Sequence, residues 1–534
     1  MSRRAGEVAL LVAIVAVASW LRVAHLGTTS IWWDELVEIA TADRPLADTL
    51  RIVRDGVGPG SGNGGAMPAD YVVLHAYLSA VPRPAPRHLE AYFRAPACAA
   101  SIAAVVALYV LARALFGRAT GALAALLLAT SLPAILYAAE ARPYSLMMLV
   151  TVLDLAAFVA VVRAPGRRLA WLGYVAAGVL YVATGVFAVF VVGAQYLVLI
   201  GLGLGRRGAR PTLAIVVGSG VVMALVVGGY LVATPFTLTY PRHGVVAPLA
   251  VTWESLRYFA VDSSPLLVAF AIAMPCFVRA SSRRGIGPVA VAVLLSFASL
   301  PAVALAIRWK HYYFHVRHVV FLLPLFHLVV AAGVLELLRM LDPLRRLAAS
   351  PATRRLLEAT AAAACVLAIT LPTLRAFLVA PQPSFARTKT LHDLAPVASA
   401  VATSVARLPP GERYLLLAER DSPTNVVLAA YLEWYGVADR VTFRAPGVPL
   451  ELVEPFLHRD DGNPSALALR PASAIYYALR ELLGQGAPMG QVPARVTAFG
   501  IVGYKAAQAG PDVRRFWNVT LREPRALSPS PPRP

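Results

Sequence analysis

Residues 119–162 read ATGALAALLLATSLPAILYAAEARPYSLMMLVTVLDLAAFVAVV, two apolar runs joined by a short polar turn at 140–144. Each run is close to the length of about 20 residues that an α-helix needs to cross a bilayer. Two such runs on either side of one short turn are typical of a transmembrane helical hairpin. The stretch therefore predicts a membrane protein built from helices.

The composition of the whole chain supports this interpretation. Of its 534 residues, 58% are hydrophobic and 15% are charged, whereas soluble globular proteins carry roughly a quarter of charged residues. The net charge is +20, but the arginines lie mainly in short loops between apolar runs, which indicates membrane topology and not nucleic-acid binding. The cysteines Cys98, Cys276 and Cys365 lie in apolar segments and form neither a disulfide framework nor a CxxC metal site.

Apolar runs recur along the chain and predict about 11 transmembrane helices. One run, 170–203, is too long for a single span, and we expect Thr184 and Gly185 to divide it into two short helices. The runs are 8–24, 92–113, 119–137, 144–162, 170–203, 211–234, 264–279, 286–306, 316–338 and 358–379.

The loop charges predict the orientation, because short cytoplasmic loops retain Lys and Arg. With a cytoplasmic N-terminus, every inner loop of the predicted topology contains arginine. The first outer loop at about 25–91, the turn at 140–144, the patch at 308–315 and the residues after 380 then lie outside the cytoplasm. We expect a plasma membrane location, of the bacterial inner-membrane type.

The sequence predicts two domains. Residues 1–380 contain the apolar runs, whereas residues 381–534 are more polar and predict a separate extracytoplasmic domain. Within that domain, 414–418 and 440–444 are typical of strands and 425–435 is typical of a helix. This pattern predicts a small α/β domain at the C-terminus.

The first outer loop contains the motif Trp32-Trp33-Asp34-Glu35, with two adjacent carboxylates. Tryptophan favours the membrane interface, so the motif is compatible with an aromatic belt followed by solvated acids. The alternative is that Asp34 is a general base at the membrane surface, where partial desolvation raises the pKa of a carboxylate. The position of the motif alone does not decide between these two hypotheses.

The turn at 140–144, EARPY, contains a second acid, Glu140. Carboxylates at membrane depth are costly and face a protein interior or an aqueous cavity, usually beside a partner. An ion pair between Glu140 and Arg142 that closes the hairpin would explain the motif structurally. Alternatively, Glu140 meets Asp34 across an active-site cavity and binds a divalent metal or the acceptor.

A third group is the basic and aromatic patch 308–318, RWKHYYFHVRH, which lies outside against the charge trend of the other loops. Cations beside aromatic rings suit the capture of an anionic phosphate at the membrane surface. Anchoring to lipid headgroups explains the same pattern. Zinc is disfavoured because His311, His315 and His318 have no carboxylate near them in the sequence.

Together these motifs resemble the GT-C superfamily of polytopic glycosyltransferases, in particular the group of protein O-mannosyltransferases and lipid A aminoarabinose transferases. The resemblance covers about residues 5–340. The motifs that carry it lie at 33–35, 93–96, 111–117, 140–144 and 315–318, the last running into 321–324.

The resemblance implies a GT-C-like fold and an enzyme whose active site lies at the outer, extracytoplasmic face of its membrane. Such an enzyme takes a sugar from a polyprenyl-phosphate donor and transfers it, with inversion, to a cell-envelope lipid, glycan or protein. Asp34 would be the base, Glu140 and Arg142 would line the cavity, and Arg317 with Lys310 would hold the lipid phosphate. The implied site residues are Asp34 and Glu35 for catalysis and Glu140, Arg142, Tyr144, Lys310, His315, Arg317 and His318 for substrate binding.

A transporter or flippase for a lipid-linked saccharide is the alternative hypothesis, because it would use the same basic patch and buried acids. Transporters often contain paired repeats and broken helices in both halves, and this sequence shows no internal repeat. We therefore favour the transferase. Its expected partners are the donor, the acceptor and membrane lipids, and a divalent metal is the one cofactor that the residues suggest.

Overall fold

The computed structural model describes most of the helical region and parts of the C-terminal region. The described residues are 3–24, 26–55, 68–205, 210–233, 247–310, 315–340, scattered positions between 360 and 371, 394–411, 413–418, 423–444, 496–503, 513–516 and 519–522. The chain divides into two compact units. The first comprises Met1–Leu26, Thr41–Pro82 and Phe93–Pro383, and the second comprises Gly27–Ala40, Arg83–Tyr92 and Ser384–Pro534.

Helices make up the described part of the first unit, and α2 and α5 begin in segments assigned to the second. In chain order they are α1 (Arg3–Val23), α2 (Trp33–Ala42), α3 (Leu46–Asp55), α4 (Pro68–Ala80), α5 (Leu89–Phe116), α6 (Arg118–Ala129), α7 (Leu132–Ala138), α8 (Tyr144–Arg163), α9 (Arg168–Thr184), α10 (Ala188–Gly205), α11 (Arg210–Ala233), α12 (Pro248–Phe259), α13 (Ser264–Arg283), α14 (Gly287–Phe297), α15 (Ser299–Lys310) and α16 (Leu323–Met340). A 3-10 helix, Val316–Leu322, leads directly into α16.

Within the described residues, six helical stretches are long and apolar enough to cross a membrane. The number is seven if α6 and α7, which are bent by 59° at their junction, form one broken span. Helix α9, the part 188–204 of α10 and the part 214–229 of α11 are shorter apolar helical stretches. The predicted polytopic membrane protein is confirmed, whereas the run 358–379 lies largely outside the described residues and a count of about 11 spans stays a prediction.

The long apolar run 170–203 is divided as the sequence predicts. Helix α9 ends at Thr184 and α10 begins at Ala188. The Thr184 hydroxyl donates to the Leu180 carbonyl at 2.7 Å, and Gly185 has an extended backbone. The two residues therefore end the helix and start a new one within a few positions.

Helices α13 and α16 pack together at the centre of the first unit. A Cβ at Gly333 would collide with the backbone of Ala273, so the two helices approach each other too closely for any larger residue. Small residues that allow such close approach are characteristic of helix pairs in membranes.

A buried arginine holds the break between α6 and α7. The guanidinium of Arg22, which is 1% exposed, donates to the carbonyl oxygens of Ala129 at 2.8 Å and Leu128 at 3.2 Å. It also donates to the Ser101 hydroxyl at 2.8 Å. The last carbonyls of a helix have no partner within the helix, so Arg22 supplies the hydrogen bonds that α6 loses where it ends.

The second unit contains a five-stranded sheet with the order β2-β1-β3-β5-β4. Strand β1 is parallel to β2 and β3, whereas β5 is antiparallel to β3 and β4. The elements are α17 (Leu394–Ala406), β1 (Arg413–Ala418), α18 (Pro423–Trp434), β2 (Val441–Arg444), β3 (Val496–Gly503), β4 (Val513–Phe516) and β5 (Val519–Arg522). The segment from β1 through α18 to β2 is thus a βαβ unit. Its strands and helix lie close to the positions that the sequence pattern predicts for them.

We expect Arg22→Met to lower the free energy of unfolding by about 2–5 kcal/mol, because it removes the guanidinium donor of the Ala129 carbonyl at the end of α6 and of the buried Ser101 hydroxyl. The measurement is the unfolding midpoint of the purified protein in detergent. Arg51→Met is the control, since Arg51 forms an exposed ion pair with Asp48 at 2.7 Å, and such pairs contribute little. Equal midpoints for the two variants would contradict this role of Arg22.

Candidate functional site

The turn between α7 and α8 places three of the predicted site residues in the interior of the first unit. Glu140, Arg142 and Tyr144 are 2%, 8% and 3% exposed. The Arg142 backbone N–H donates to the Glu140 carbonyl at 2.8 Å, which makes the turn tight. The Arg142 guanidinium carbon lies 5.9 Å from the centre of the Tyr144 ring, a cation–π distance. This motif is therefore not a solvated loop.

Aromatic side chains form one wall beside this turn. The rings of Tyr137 and Tyr144 lie 4.7 Å apart, and those of Tyr137 and Tyr258 lie 6.4 Å apart. Burial raises the pKa of the Tyr258 phenol, and the Glu140 carboxylate nearby adds to the rise. Tyr258 is consequently a neutral hydrogen-bonding group at physiological pH.

The second predicted motif forms the start of the 3-10 helix Val316–Leu322. The His315 ring accepts the Arg317 backbone N–H at 3.2 Å, and the His318 ring accepts the His315 backbone N–H at 3.4 Å. The two histidines thus form a reciprocal cap that fixes the beginning of this helix. Arg317, which lies between them, is 8% exposed.

These two turns lie close to each other. The 3-10 helix Val316–Leu322 packs against α8, whose first residue is Tyr144. The break between α9 and α10 adds Phe187, whose ring centre lies 5.9 Å from that of His318. The first unit therefore gathers two buried arginines, two histidines and a buried glutamate, together with an aromatic wall.

The second unit holds the remaining predicted acids at the start of α2. Asp34 and Glu35 lie in the first turn, where the positive end of the helix dipole favours negative charge. Glu35 is fully buried and accepts the Trp32 backbone N–H at 3.3 Å. This is one half of a capping box, so Glu35 stabilises the helix that carries Asp34. Asp34 is only partly buried.

The segment before α2 is attached to the helices of the C-terminal region. The Ser30 hydroxyl accepts the backbone N–H groups of Leu394 and Ala395, at 2.9 and 3.0 Å, and so caps α17. These are two of the N–H groups that the first turn of a helix leaves without an intrahelical partner. Ser30 is 6% exposed, so water does not compete freely for these bonds.

A second attachment passes through Tyr431 on α18. Its hydroxyl accepts the Ile31 backbone N–H at 2.8 Å and donates to the Glu90 carboxylate at 2.8 Å. Tyr431 is fully buried, and Ile31 and Glu90 are nearly so. The position of α2, and with it Asp34, is thus fixed by residues that follow about 400 positions later in the chain.

Some predicted features lie outside what the structure describes. The side chain of Lys310 and the whole of His311 belong to this group. Among the described residues, no three His, Cys, Asp or Glu side chains gather in an arrangement that would hold a metal ion. Metal binding by Asp34 and Glu140 therefore stays a hypothesis from the sequence.

The structure also adds residues that the sequence motifs do not indicate. Tyr137, Tyr258 and Phe187 flank the two turns, although each lies in an otherwise ordinary apolar or amphipathic stretch. The only sequence signal at Phe187 is the helix break beside it. For Tyr137 and Tyr258, a tyrosine next to a membrane helix end is too common to mark a site.

Comparison with known proteins relates this fold to two membrane enzymes. No protein-family model and no curated protein matches the sequence. The structure of ArnT from Cupriavidus metallidurans in the apo state is similar, with a TM-score of 0.56 and 15% identity over 98% of both chains. The structure of the same protein bound to undecaprenyl phosphate has a TM-score of 0.53 and a sequence identity of 14%. The match covers 97% of this chain and 98% of that chain.

The oligosaccharyltransferase of Archaeoglobus fulgidus, solved with Zn and sulfate, is also similar. Its TM-score is 0.50 at 14% identity, over 92% of this chain and 67% of that chain. Both structures share their fold with this chain at low sequence identity. At these identities the likeness concerns the fold, so the GT-C fold expected from the motifs is confirmed.

We expect Tyr431→Phe to loosen the segment 27–40, because the Ile31 N–H loses its buried acceptor. Hydrogen exchange of this segment should accelerate roughly tenfold or more. Mass-spectrometric exchange on the intact protein measures this, with Thr403→Val as control because the exposed Thr403 hydroxyl bonds to the Ser399 carbonyl of its own helix at 2.9 Å. Identical exchange of 27–40 in both variants would show that Tyr431 does not hold the segment.

Proposed function

We propose that the protein is a membrane glycosyltransferase that moves a sugar from a polyprenyl-phosphate donor to a cell-envelope acceptor outside the cytoplasm. The observation that carries the proposal is the pair of buried arginines in a GT-C-like fold, Arg142 in the turn with the buried Glu140 and Arg317 between the capping histidines His315 and His318. Charged side chains inside membrane proteins are costly and are therefore functional by default. A neutral substrate would not require two buried guanidinium groups.

The two buried arginines suit a phosphate. Arginine presents several N–H donors in a planar fork that matches phosphate oxygens, and each such bond is strengthened by charge. ArnT, which shares this fold, has been solved with undecaprenyl phosphate. In the proposed site, Arg317 and Arg142 hold the donor phosphate, and the Tyr144 and Phe187 rings pack beside it.

Asp34 is the proposed general base. It accepts the proton of the acceptor hydroxyl while the hydroxyl oxygen forms a bond to the anomeric carbon of the sugar. The bond from that carbon to the phosphate oxygen breaks, and the electron pair leaves with the polyprenyl phosphate, whose charge the arginines stabilise. Attack opposite to the leaving group inverts the anomeric centre. Glu35 supports the reaction by capping α2, and Glu140 lines the acceptor side.

The proposal includes the topology from the loop charges. The N-terminus is cytoplasmic, about 11 helices cross the membrane, and residues 381–534 form a small extracytoplasmic α/β domain. The membrane is of the bacterial inner-membrane type. The acceptor is a lipid, glycan or protein of the cell envelope.

We expect Asp34→Asn to lower the rate of sugar transfer by about 10²–10⁴-fold, which is the usual contribution of a general base. The assay uses a panel of radiolabelled polyprenyl-phosphate sugars and acceptor extracts with the protein in liposomes. Asp48→Asn is the matched control, since Asp48 lies in the first turn of α3 and pairs with Arg51 at the surface.

The proposal is supported if the native protein and the control transfer sugar, whereas Asp34→Asn binds the donor but does not transfer it. That result would support both the transferase activity and the role of Asp34 as general base. Donor binding without transfer by any form of the protein would overturn the proposal. In that case a flipping assay with the same liposomes would test the transporter hypothesis.

We expect Arg317→Lys to weaken donor binding by about tenfold, because an ammonium group cannot form the paired bonds of a guanidinium with phosphate. The effect should appear in KM for the donor more than in kcat. Arg51→Lys, at an exposed arginine of α3 that pairs with Asp48, should change neither constant. Equal effects of both substitutions would argue against phosphate binding by Arg317.

A further inference from the structure

A groove of about 720 Å³ lies on the surface of the first unit, between α5, α8 and the start of α9. Its volume is within the range of about 300–1,000 Å³ that is common for small-molecule sites. The lining is almost entirely apolar, and Val110, Leu153 and Leu169 on its walls are 55%, 45% and 75% exposed. The groove therefore opens to the surroundings of the helix bundle, which for a membrane protein are lipid chains.

Two arginines are the polar exceptions in this lining. Arg163 ends α8 and Arg167 precedes α9, and both are exposed. Arg163 also donates to the Ala114 carbonyl on α5 at 3.3 Å, which keeps its guanidinium at the groove. The groove thus combines an apolar channel with a cationic end.

The groove is separate from the candidate active site. Helix α8 has 20 residues, with Tyr144 at its first position and Arg163 at its last. At 1.5 Å per residue these ends are about 30 Å apart, which is the thickness of the hydrocarbon core. The cationic end of the groove therefore lies at the opposite membrane face.

Five other arginines at helix ends have carboxylate partners. Glu7 forms ion pairs with Arg113 and with Arg118, the latter at 2.8 Å. Glu336 forms ion pairs with three arginines at the ends of α13 and α16, namely Arg279, Arg283 and Arg339. Within the part of the chain that the structure describes, neither Arg163 nor Arg167 has such a partner.

We propose that this groove binds an anionic phospholipid of the bilayer, with an acyl chain against the apolar walls and the phosphate group on Arg163 and Arg167. We choose a phospholipid as the occupant for two reasons. The apolar walls, which open to lipid along the groove, suit an acyl chain, and the cations at one end suit a phosphate headgroup. Basic pockets between helices at the cytoplasmic face bind anionic headgroups in the same way. The proposal does not depend on the transferase chemistry.

The test is lipid retention by the full-length protein. The native protein is reconstituted in vesicles of equal parts phosphatidylethanolamine and phosphatidylglycerol with a trace of polyprenyl phosphate, extracted in mild detergent, and analysed by native mass spectrometry. We expect selective retention of phosphatidylglycerol. Arg163→Gln with Arg167→Gln should reduce it roughly ten- to thirtyfold, since each surface cation contributes to headgroup binding.

Two further variants separate the groove from general charge effects. Ala160→Trp, at an exposed position of the lining, fills the apolar part and should also remove the lipid. Arg51→Gln with Arg257→Gln removes two charges from exposed ion pairs elsewhere and should leave retention unchanged.

Equal retention of both phospholipids, or undiminished retention in the double arginine variant, would overturn the proposal. Retention of polyprenyl phosphate that falls in the double arginine variant would also overturn it, because the groove would then serve a different lipid, whereas polyprenyl phosphate held at the candidate active site should be unaffected by that variant. Parallel loss in the Arg51 and Arg257 control would mean that net charge alone governs retention, which likewise contradicts a specific groove.

Discussion

The need to satisfy every backbone hydrogen bond inside the protein governs this structure. A bilayer core offers no water to an N–H or C=O group, so a break in a membrane helix requires a partner from the protein itself. At the junction of α6 and α7 that partner is Arg22, whose guanidinium reaches the last carbonyls of α6. A fully buried cation is costly, and its hydrogen bonds to these carbonyls offset that cost.

The candidate site in the first unit is built where regular helix stops. The chain that leaves α7 forms the turn with Glu140 and Arg142, the break after α9 supplies Phe187, and the 3-10 helix supplies Arg317 between two capping histidines. Irregular backbone in membrane proteins persists only where protein or a cavity surrounds it. The arrangement is therefore consistent with a site that was assembled at the expense of helical regularity.

Local sequence patterns were sufficient for the features that depend on local physics. Apolar length predicted the helices, and Thr184 with Gly185 predicted the division of the run 170–203, because both effects act within a few residues. The motif residues at 140–144 and 315–318 were found because charge is rare in such surroundings. Tyr258 and Phe187 were missed, since their role arises only from contacts between distant helices.

The attachment of α2 could not be predicted from local sequence patterns either, because it also arises from contacts between residues that are distant in the sequence. Ser30 and Ile31 are bonded to Leu394 and Tyr431, which no spacing in the sequence relates to them. The candidate base therefore belongs to one compact unit and the candidate phosphate site to the other. The position of the helix that carries Asp34 thus depends on hydrogen bonds to α17 and α18, which lie in the described part of the C-terminal region.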